Sequence, residues 1–240
     1  MSDFGMVCGC CVTGRHGLGR PSRRGFMRTG MAAAGVVGAA SLLPRRAFAQ
    51  SALSPDAALK ALMDGNKRFM QTQLDSCSAD LTILKQDTAD KQEPFAAILS
   101  CADSRVPVEL VFDQSIGHLF VTRVAGNIAT SEMIASLEYG AAVLGTRVIL
   151  VMGHSGCGAV KAAMAGKPVP GQISGLFAPL RPAVDEGKGN FEATIKDNAV
   201  IQAHLLATAS PLLAGMIKDG SLKVAAGYYA LDTGAVTLLD

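Results

Sequence analysis

Two short polar segments hold the residue types that could do chemistry. The first is Cys101-Ala102-Asp103-Ser104-Arg105, and the second is Gly153-His154-Ser155-Gly156-Cys157-Gly158. Together they offer two thiols and one imidazole. Two cysteines and one histidine are a known catalytic zinc set, which leaves a fourth position for water or a carboxylate. His154 and Cys157 are three residues apart, so one glycine-rich loop can bring both to one ion.

The spacing alone leaves simpler interpretations open. A single buried cysteine after a strand usually packs as a small apolar side chain, and a single histidine in a loop is usually a polar surface group. Cys101 must also reach His154 from 53 positions earlier. The pattern is therefore less specific than a pair of CxxC motifs.

Nucleophilic mechanisms fit the two segments less well. The Cys-x5-Arg pattern of phosphatases fails because Pro107 and Ala163 stand six residues after Cys101 and Cys157. A nucleophile elbow needs Gly-x-Ser-x-Gly, and Cys157 takes the place of its second glycine. The segment also lacks the spacing of a Walker phosphate loop.

Both polar segments stand directly after predicted buried strands. The apolar runs over 95–99 and 147–152 are typical of strands buried on both faces of a parallel sheet, and a further strand is predicted over 119–125. Ligands of open α/β sheets bind at the carboxyl ends of the strands. The two segments lie at such ends, which is where a site is expected.

Helices are predicted to connect and flank these strands. Ser54 and Pro55 are typical of a helix start, and the apolar spacing predicts helices over 55–70, 132–144 and 191–210. A last pair of strands, 222–228 and 236–239, is predicted to form an antiparallel hairpin at the sheet edge. The predicted class is α/β, with a mostly parallel central sheet, an antiparallel edge hairpin and flanking helices.

Charge divides the chain into two parts. Residues 1–49 hold seven arginines against the single Asp3, whereas residues 50–240 hold fifteen Lys and Arg against nineteen Asp and Glu, a net charge of −4. The longer part lacks the basic face of a nucleic-acid-binding domain. With 5% aromatic residues and no tryptophan, it also offers few stacking platforms. We expect no nucleic-acid partner.

The basic part has the features of an export signal. Arg23-Arg24 is a twin-arginine pair, an apolar run over 31–43 follows it, and Ala47-Phe48-Ala49 is typical of a cleavage site. The run of 13 residues falls short of the roughly 20 needed to span a bilayer. We predict a cleaved twin-arginine signal peptide over 1–49, one domain over 50–240, and a periplasmic or otherwise exported protein without a stable membrane span. A disordered basic tail on a cytoplasmic protein is the alternative.

The cysteines outside the two polar segments have no assigned role. Three of them precede the arginine pair, namely Cys8, Cys10 and Cys11, and we expect them to be removed with the leader, although they could also form a small metal cluster. Cys77 brings the number of cysteines in residues 50–240 to three, and an odd number argues against a disulfide framework. Export in the folded state would allow thiols to bind metal in a reducing compartment first.

The combined pattern Cys101-x-Asp103-x-Arg105 and His154-x-x-Cys157 resembles the zinc signature of the β-class carbonic anhydrases. The resemblance covers most of residues 55–239, including segments 64–69, 123–127 and 136–139. It implies one Zn²⁺ per chain, held by Cys101, His154 and Cys157. It also implies that Asp103 and Arg105 form a carboxylate–guanidinium pair beside the metal.

The resemblance implies a zinc lyase, a carbonate dehydratase that reversibly hydrates CO2 to bicarbonate and a proton. The family's substrate pocket lies across a dimer interface, and Gln92, Phe120 and Tyr139 match its positions. Without the resemblance, we would interpret Gln92 as an ordinary surface amide and the two aromatic residues as side chains packed in the core. The implied assembly is a homodimer or tetramer, with the N-terminal helix packed on a partner.

Two other functions stay open at this point. The same scaffold could hydrolyse another small linear molecule such as carbon disulfide, or Asp103 could close the site permanently in a non-catalytic zinc protein. Two thiolates and a neutral histidine cancel the charge of Zn²⁺, so a bound water should be less acidic than at a three-histidine site. We expect activity to rise toward alkaline pH, where Asp103 pairs with Arg105 and orients the reacting water toward CO2.

Overall fold

The computed structural model describes residues 51–76 and 88–240. The predicted signal peptide lies outside the described residues, as do Cys8, Cys10, Cys11 and Cys77. In the described ranges no single helix is long and apolar enough to cross a membrane. Two consecutive helices, Phe191–Ala209 and Pro211–Lys218, are together long and apolar enough by length and composition alone, but the pair is bent by 93°.

A five-stranded sheet organises the described part of the chain. Its strands are β1 (Ala96–Ser100), β2 (Leu119–Arg123), β3 (Val148–His154), β4 (Lys223–Tyr229) and β5 (Val236–Leu239). The spatial order is β2-β1-β3-β4-β5. The first four strands pair in parallel and β5 pairs antiparallel to β4. The predicted α/β class, with its antiparallel edge hairpin, is confirmed.

Seven α-helices are described. They are α1 (Pro55–Met70), α2 (Val108–Val111), α3 (Ser131–Ala142), α4 (Gly158–Ala165), α5 (Phe177–Glu186), α6 (Phe191–Ala209) and α7 (Pro211–Lys218). A 3-10 helix, Gly171–Leu176, precedes α5. The predicted start of α1 is confirmed, because the Ser54 hydroxyl accepts a hydrogen bond from the Ala57 N–H at 3.2 Å.

Alternation along the buried strands builds two cores, one on each face of the sheet. In β1, Ala96 and Ile98 face the core that includes α1 and α2, whereas Ala97 and Leu99 face the core that includes α3, α6 and α7. Every residue of β1 and β3 is buried, as the continuous apolar runs predicted. On its inner side α1 buries residues 58, 59 and 62 against its own chain; its predicted contact with a partner stays a prediction.

The register of β1 and β3 brings the two polar segments to one place. Ser100 lies opposite Met152 in the parallel ladder, so that Cys101 follows level with Gly153 and beside His154. Strand β3 is longer than predicted and includes the histidine, which pairs with Tyr229 of β4. The sheet itself therefore positions the imidazole, and only Cys157 depends on the loop that follows.

Candidate metal centre

Two thiols and one imidazole converge at the carboxyl ends of β1 and β3. The sulfur atoms of Cys101 and Cys157 and a ring nitrogen of His154 all lie within 4.8 Å of one another. All three residues are buried, and both cysteines are free thiols. The structure therefore brings together the three residues that the sequence analysis selected as metal ligands.

A tight turn returns Cys157 to the histidine. Gly156 has a φ of +71°, in the left-handed region that glycine adopts without strain. Cys157 then occupies the N-cap position of α4, so the helix starts directly after this candidate ligand. The chain reverses within three residues, which is why the His-x-x-Cys spacing can serve one ion.

The hydrogen bonds of His154 leave one ring nitrogen available to a metal. Nδ1 lies 2.9 Å from the carbonyl oxygen of Ser155. A carbonyl only accepts, so Nδ1 carries the proton and Nε2 carries the lone pair. Among the described residues, no hydrogen-bond partner reaches the buried Nε2. An unpartnered buried nitrogen is costly in a folded protein, and a cation at this position would satisfy it.

The two sulfur atoms are close enough for each thiol to shift the pKa of the other. Cys157 donates a hydrogen bond that, against the effect of burial, holds the pKa of Cys101 well below its ordinary value, and the Gly126 N–H acts in the same direction. The same contact, together with burial, raises the pKa of Cys157. Cysteine binds metals as a thiolate, so a divalent cation bound here would displace the thiol protons. Sulfur and imidazole donors at this spacing fit Zn²⁺.

Asp103 and Arg105 form a bidentate pair beside this cluster. Arg105 donates from Nε to Oδ1 at 2.9 Å and from Nη2 to Oδ2 at 2.7 Å, and its backbone N–H donates to Oδ1 at 3.0 Å. These bonds hold the pKa of Asp103 well below its usual range. Oδ2 lies 3.9 Å from Nε2 of His154. The carboxylate therefore stands next to the candidate metal position with both oxygens engaged.

Arg123 at the end of β2 holds the loop that carries these groups. Its Nε donates to the carbonyl of Cys101 at 2.9 Å, and its Nη2 donates to the carbonyl of Asp103. Sequence reasoning did not select this residue for such a role. A single arginine on an edge strand carries no local signal, because its partners lie 20 and 22 positions earlier.

The structure does not bring the three predicted substrate-pocket residues to the cluster of the same chain. Phe120 lies opposite Ala97 in the ladder. Ala97 is four residues before Cys101, so Phe120 lies about 13 Å from the level of Cys101 along the strand. Its ring contacts that of Tyr139 on α3, with centroids 6.2 Å apart. Tyr139 is 47% exposed, and Gln92 is exposed in the segment before β1.

Comparisons with known proteins agree on one family. The family model described as carbonic anhydrase matches residues 96–236. A protein named carbonic anhydrase 2 from Mycobacterium tuberculosis is 36% identical over 197 residues, which cover 78% of this chain and 94% of that protein. A carbonic anhydrase from Mycolicibacterium smegmatis is 33% identical over 196 residues, covering 77% and 93%.

Solved structures give the same result. The β-carbonic anhydrase of Coccomyxa, in complex with acetazolamide, superposes with a TM-score of 0.61 at 27% identity, over 75% of this chain and 86% of that chain. The β-carbonic anhydrase CcaA superposes with a TM-score of 0.62 at 24% identity, over 76% and 87%. At that lower identity the likeness concerns the fold alone.

Proposed function

The chain belongs to the β-class carbonic anhydrases, and from this premise we infer that it reversibly hydrates CO2 to bicarbonate and a proton at Cys101, His154 and Cys157. The observation that carries the inference is the convergence of three buried donors, one of them the unpartnered Nε2 of His154. The enzyme is a carbonate dehydratase, a lyase. Its cofactor is one Zn²⁺ per chain.

Zinc bound at these residues would supply a water molecule acidic enough to act as a nucleophile near neutral pH. The chain's own groups do the rest. His154 is fixed in the tautomer that presents Nε2, because its Nδ1–H donates to the Ser155 carbonyl. Two thiolates would cancel the charge of the cation, so the reacting water would be less acidic than at a site of three neutral histidines.

Asp103 orients the reacting water. The guanidinium of Arg105 engages both oxygens of the carboxylate and holds it ionised, so that it can only accept hydrogen bonds. Oδ2, which lies 3.9 Å from Nε2 of His154, accepts a hydrogen bond from the reacting water and directs its lone pair at CO2. Arg105 acts through Asp103 and is a positioning residue.

A second chain completes the substrate pocket. The ring pair of Phe120 and Tyr139 is partly exposed and lies away from the strand end that carries Cys101, which supports a role at the site of a partner. Gln92 would donate amide hydrogens to the developing bicarbonate there. Two solved relatives of this fold are described as tetrameric β-carbonic anhydrases. We place this chain in a homodimer or tetramer.

Mixing two inactive variants tests the shared pocket. Chains with Cys157→Ser lack a metal ligand, and chains with Tyr139→Ala lack a pocket wall. If the pocket forms between chains, mixed dimers contain one site with both groups intact, so part of the activity returns after the variants are unfolded and refolded together. Failure of mixing to restore activity in confirmed mixed dimers would contradict the shared pocket.

The leader supports export through the twin-arginine route. Residues 1–49 combine Arg23-Arg24, the apolar run and the Ala47-Phe48-Ala49 site, and we place the mature enzyme in the periplasm or another compartment reached by this route. Replacing Arg23 and Arg24 with lysines should leave the uncleaved protein in the cytoplasm. Cleavage and export of that variant at the wild-type level would contradict this assignment.

Metal analysis and stopped-flow hydration of CO2 by the purified chain test the main proposal. We expect one zinc per chain and hydration that a Cys101→Ser variant loses. One zinc per chain with no hydration at neutral or alkaline pH would indicate a non-catalytic zinc protein. Hydrolysis of carbon disulfide without hydration of CO2 would indicate the other reaction that this scaffold could support.

A further inference from the structure

One residue of the loop between β2 and α3, Gly126, contacts the sulfur atom of Cys101. Gly126, with a φ of +78°, donates its N–H to the Cys101 sulfur at 3.4 Å. Its carbonyl oxygen accepts a hydrogen bond from Nδ2 of Asn198 on α6 at 2.8 Å. Gly126 is therefore held on one side by a metal ligand and on the other by a buried carboxamide.

A second carboxamide one turn further along α6 locks this arrangement. Gln202 donates from Nε2 to Oδ1 of Asn198 at 3.2 Å and to the carbonyl of Pro179 at 3.1 Å. Its Oε1 accepts from the N–H of Ala129, at the other end of the same loop, at 2.9 Å. Asn198 and Gln202 are 0% and 2% exposed. The amide of Asn198 thus cannot rotate without breaking a buried bond.

Backbone hydrogen bonds join the start of this loop to the segment that carries Cys101, because Val124 pairs with Ser100 and Ala102. In the described part of the chain, however, no backbone N–H donates to the Gly126 carbonyl, and a buried carbonyl left unpaired is costly. The remainder of the buried face of α6 is mainly apolar, with Ile195 and Ala199 packed under the sheet. The amides of Asn198 and Gln202 are costly to bury on such a face, and both form hydrogen bonds to the loop that contains Gly126.

We propose that Asn198 and Gln202 are positioning residues of the metal site, which hold the Gly126 N–H within hydrogen-bond distance of the Cys101 sulfur. This inference rests on the proposed function, because it needs a metal bound there. The N–H offsets part of the negative charge that the sulfur keeps in a thiolate–metal bond and fixes the direction of its lone pairs. Partners of this kind, one step removed from the ion, orient ligands and tune the metal.

Two substitutions and one matched control test the proposal in the full chain. Asn198→Leu removes the donor to Gly126. Gln202→Met removes the bonds to Ala129, Asn198 and Pro179 with little change in volume. Thr194→Val is the control, because Thr194 is buried on the same helix and its hydroxyl donates to the Asn190 carbonyl, away from the loop.

The readouts are the zinc dissociation constant, measured by competition with a chromogenic chelator, and the sulfur-to-cobalt absorption band of the Co²⁺-loaded protein. Groups that bond a metal ligand directly usually change affinity 10–100-fold. Asn198 acts through Gly126, so we expect Asn198→Leu to weaken zinc binding by about tenfold, the lower end of that range, and to shift the band. Gln202→Met should do the same to a smaller extent, and it carries the test if Asn198→Leu does not fold. Thr194→Val should change neither readout.

Thermal melting of all three variants separates positioning from stability. If Asn198→Leu and Gln202→Met melt earlier but keep the wild-type zinc affinity and cobalt band, the amides only stabilise the fold and the inference is overturned. A wild-type chain that binds neither zinc nor cobalt overturns the proposed function and this inference together. Normal wild-type binding with unchanged variants overturns the inference alone.

Discussion

Replacing Arg105 with lysine tests how the carboxylate of Asp103 is held. Two side-chain nitrogens of Arg105 reach the two oxygens of Asp103, at 2.9 and 2.7 Å. A lysine ammonium is a single point charge and cannot hold both oxygens in one plane. The backbone N–H of residue 105 also donates to Oδ1, and this bond survives the substitution. The variant therefore removes the planar fork, together with the 3.5 Å bond from Nη2 to the Gly156 carbonyl.

The size of the effect follows from these contacts. The side chain of Arg105 is 56% exposed, so water screens its charge and the pair contributes less than a buried one would. Losing one of the two side-chain bonds therefore predicts a fall of about two- to fivefold in kcat/KM for CO2 hydration.

The assay is stopped-flow hydration with a pH indicator, at equal zinc content for all samples. Arg181→Lys is the matched control, because Arg181 forms an exposed ion pair with Asp185 on α5, 4.0 Å apart, and should keep full activity. Full activity in Arg105→Lys would refute the role of the planar pair. An equal loss in both variants would show that the effect is not specific to the site.

Four further outcomes are expected. Removing the metal with a chelator should abolish hydration and lower Tm, since binding to the folded state adds to its stability; an unchanged Tm would contradict a metal in this site. Activity should rise from neutral to alkaline pH because two thiolates reduce the acidity of the reacting water, and a flat profile would count against this ligand set. Burial raises the pKa of Asp113, but hydrogen bonds from Arg68 and its other partners outweigh it and lower that pKa. These bonds contribute to the free energy of unfolding at pH values above the ordinary carboxyl pKa of about 4, and the contribution is lost as the pH falls below it. In urea melts, the free energy of unfolding should therefore fall less on acidification for Asp113→Asn than for the wild type. A methyl group on Gly65 would lie 1.8 Å from the carbonyl oxygen of Phe112, so Gly65→Ala should not yield folded protein, whereas Gly215→Ala, with open space around it, should fold normally.

Most of the sheet could be predicted from the sequence because buried parallel strands appear as continuous apolar runs. The run over 95–99 became β1 with a shift of one residue, and the hairpin strand over 236–239 has the predicted bounds. The strand over 147–152 was predicted too short, since nothing apolar marks His154 as part of β3. The short helices α2, α4, α5 and α7 were not predicted, because helices of this length depend on packing more than on local propensity.

The cluster of two thiols and one imidazole could be predicted because cysteine and histidine carry their chemistry in their type, and two of the three residues lie within one turn of chain. The contacts around these side chains could not. Gly126 meets Cys101 from 25 positions away, and Asn198 meets Gly126 from 72 positions away. A glycine and an asparagine have no residue-type signal for such a role. The roles of Gln92, Phe120 and Tyr139 follow from the resemblance, because in the single chain these residues lie away from the cluster.

X-ray absorption at the zinc edge of the purified protein tests the central claim most directly, because it reports the donor atoms around the ion. The account predicts two sulfur neighbours at about 2.3 Å and one imidazole nitrogen at about 2.0–2.1 Å, with one sulfur lost in Cys101→Ser and in Cys157→Ser. A zinc ion surrounded only by nitrogen and oxygen, or a spectrum unchanged in both variants, would contradict it.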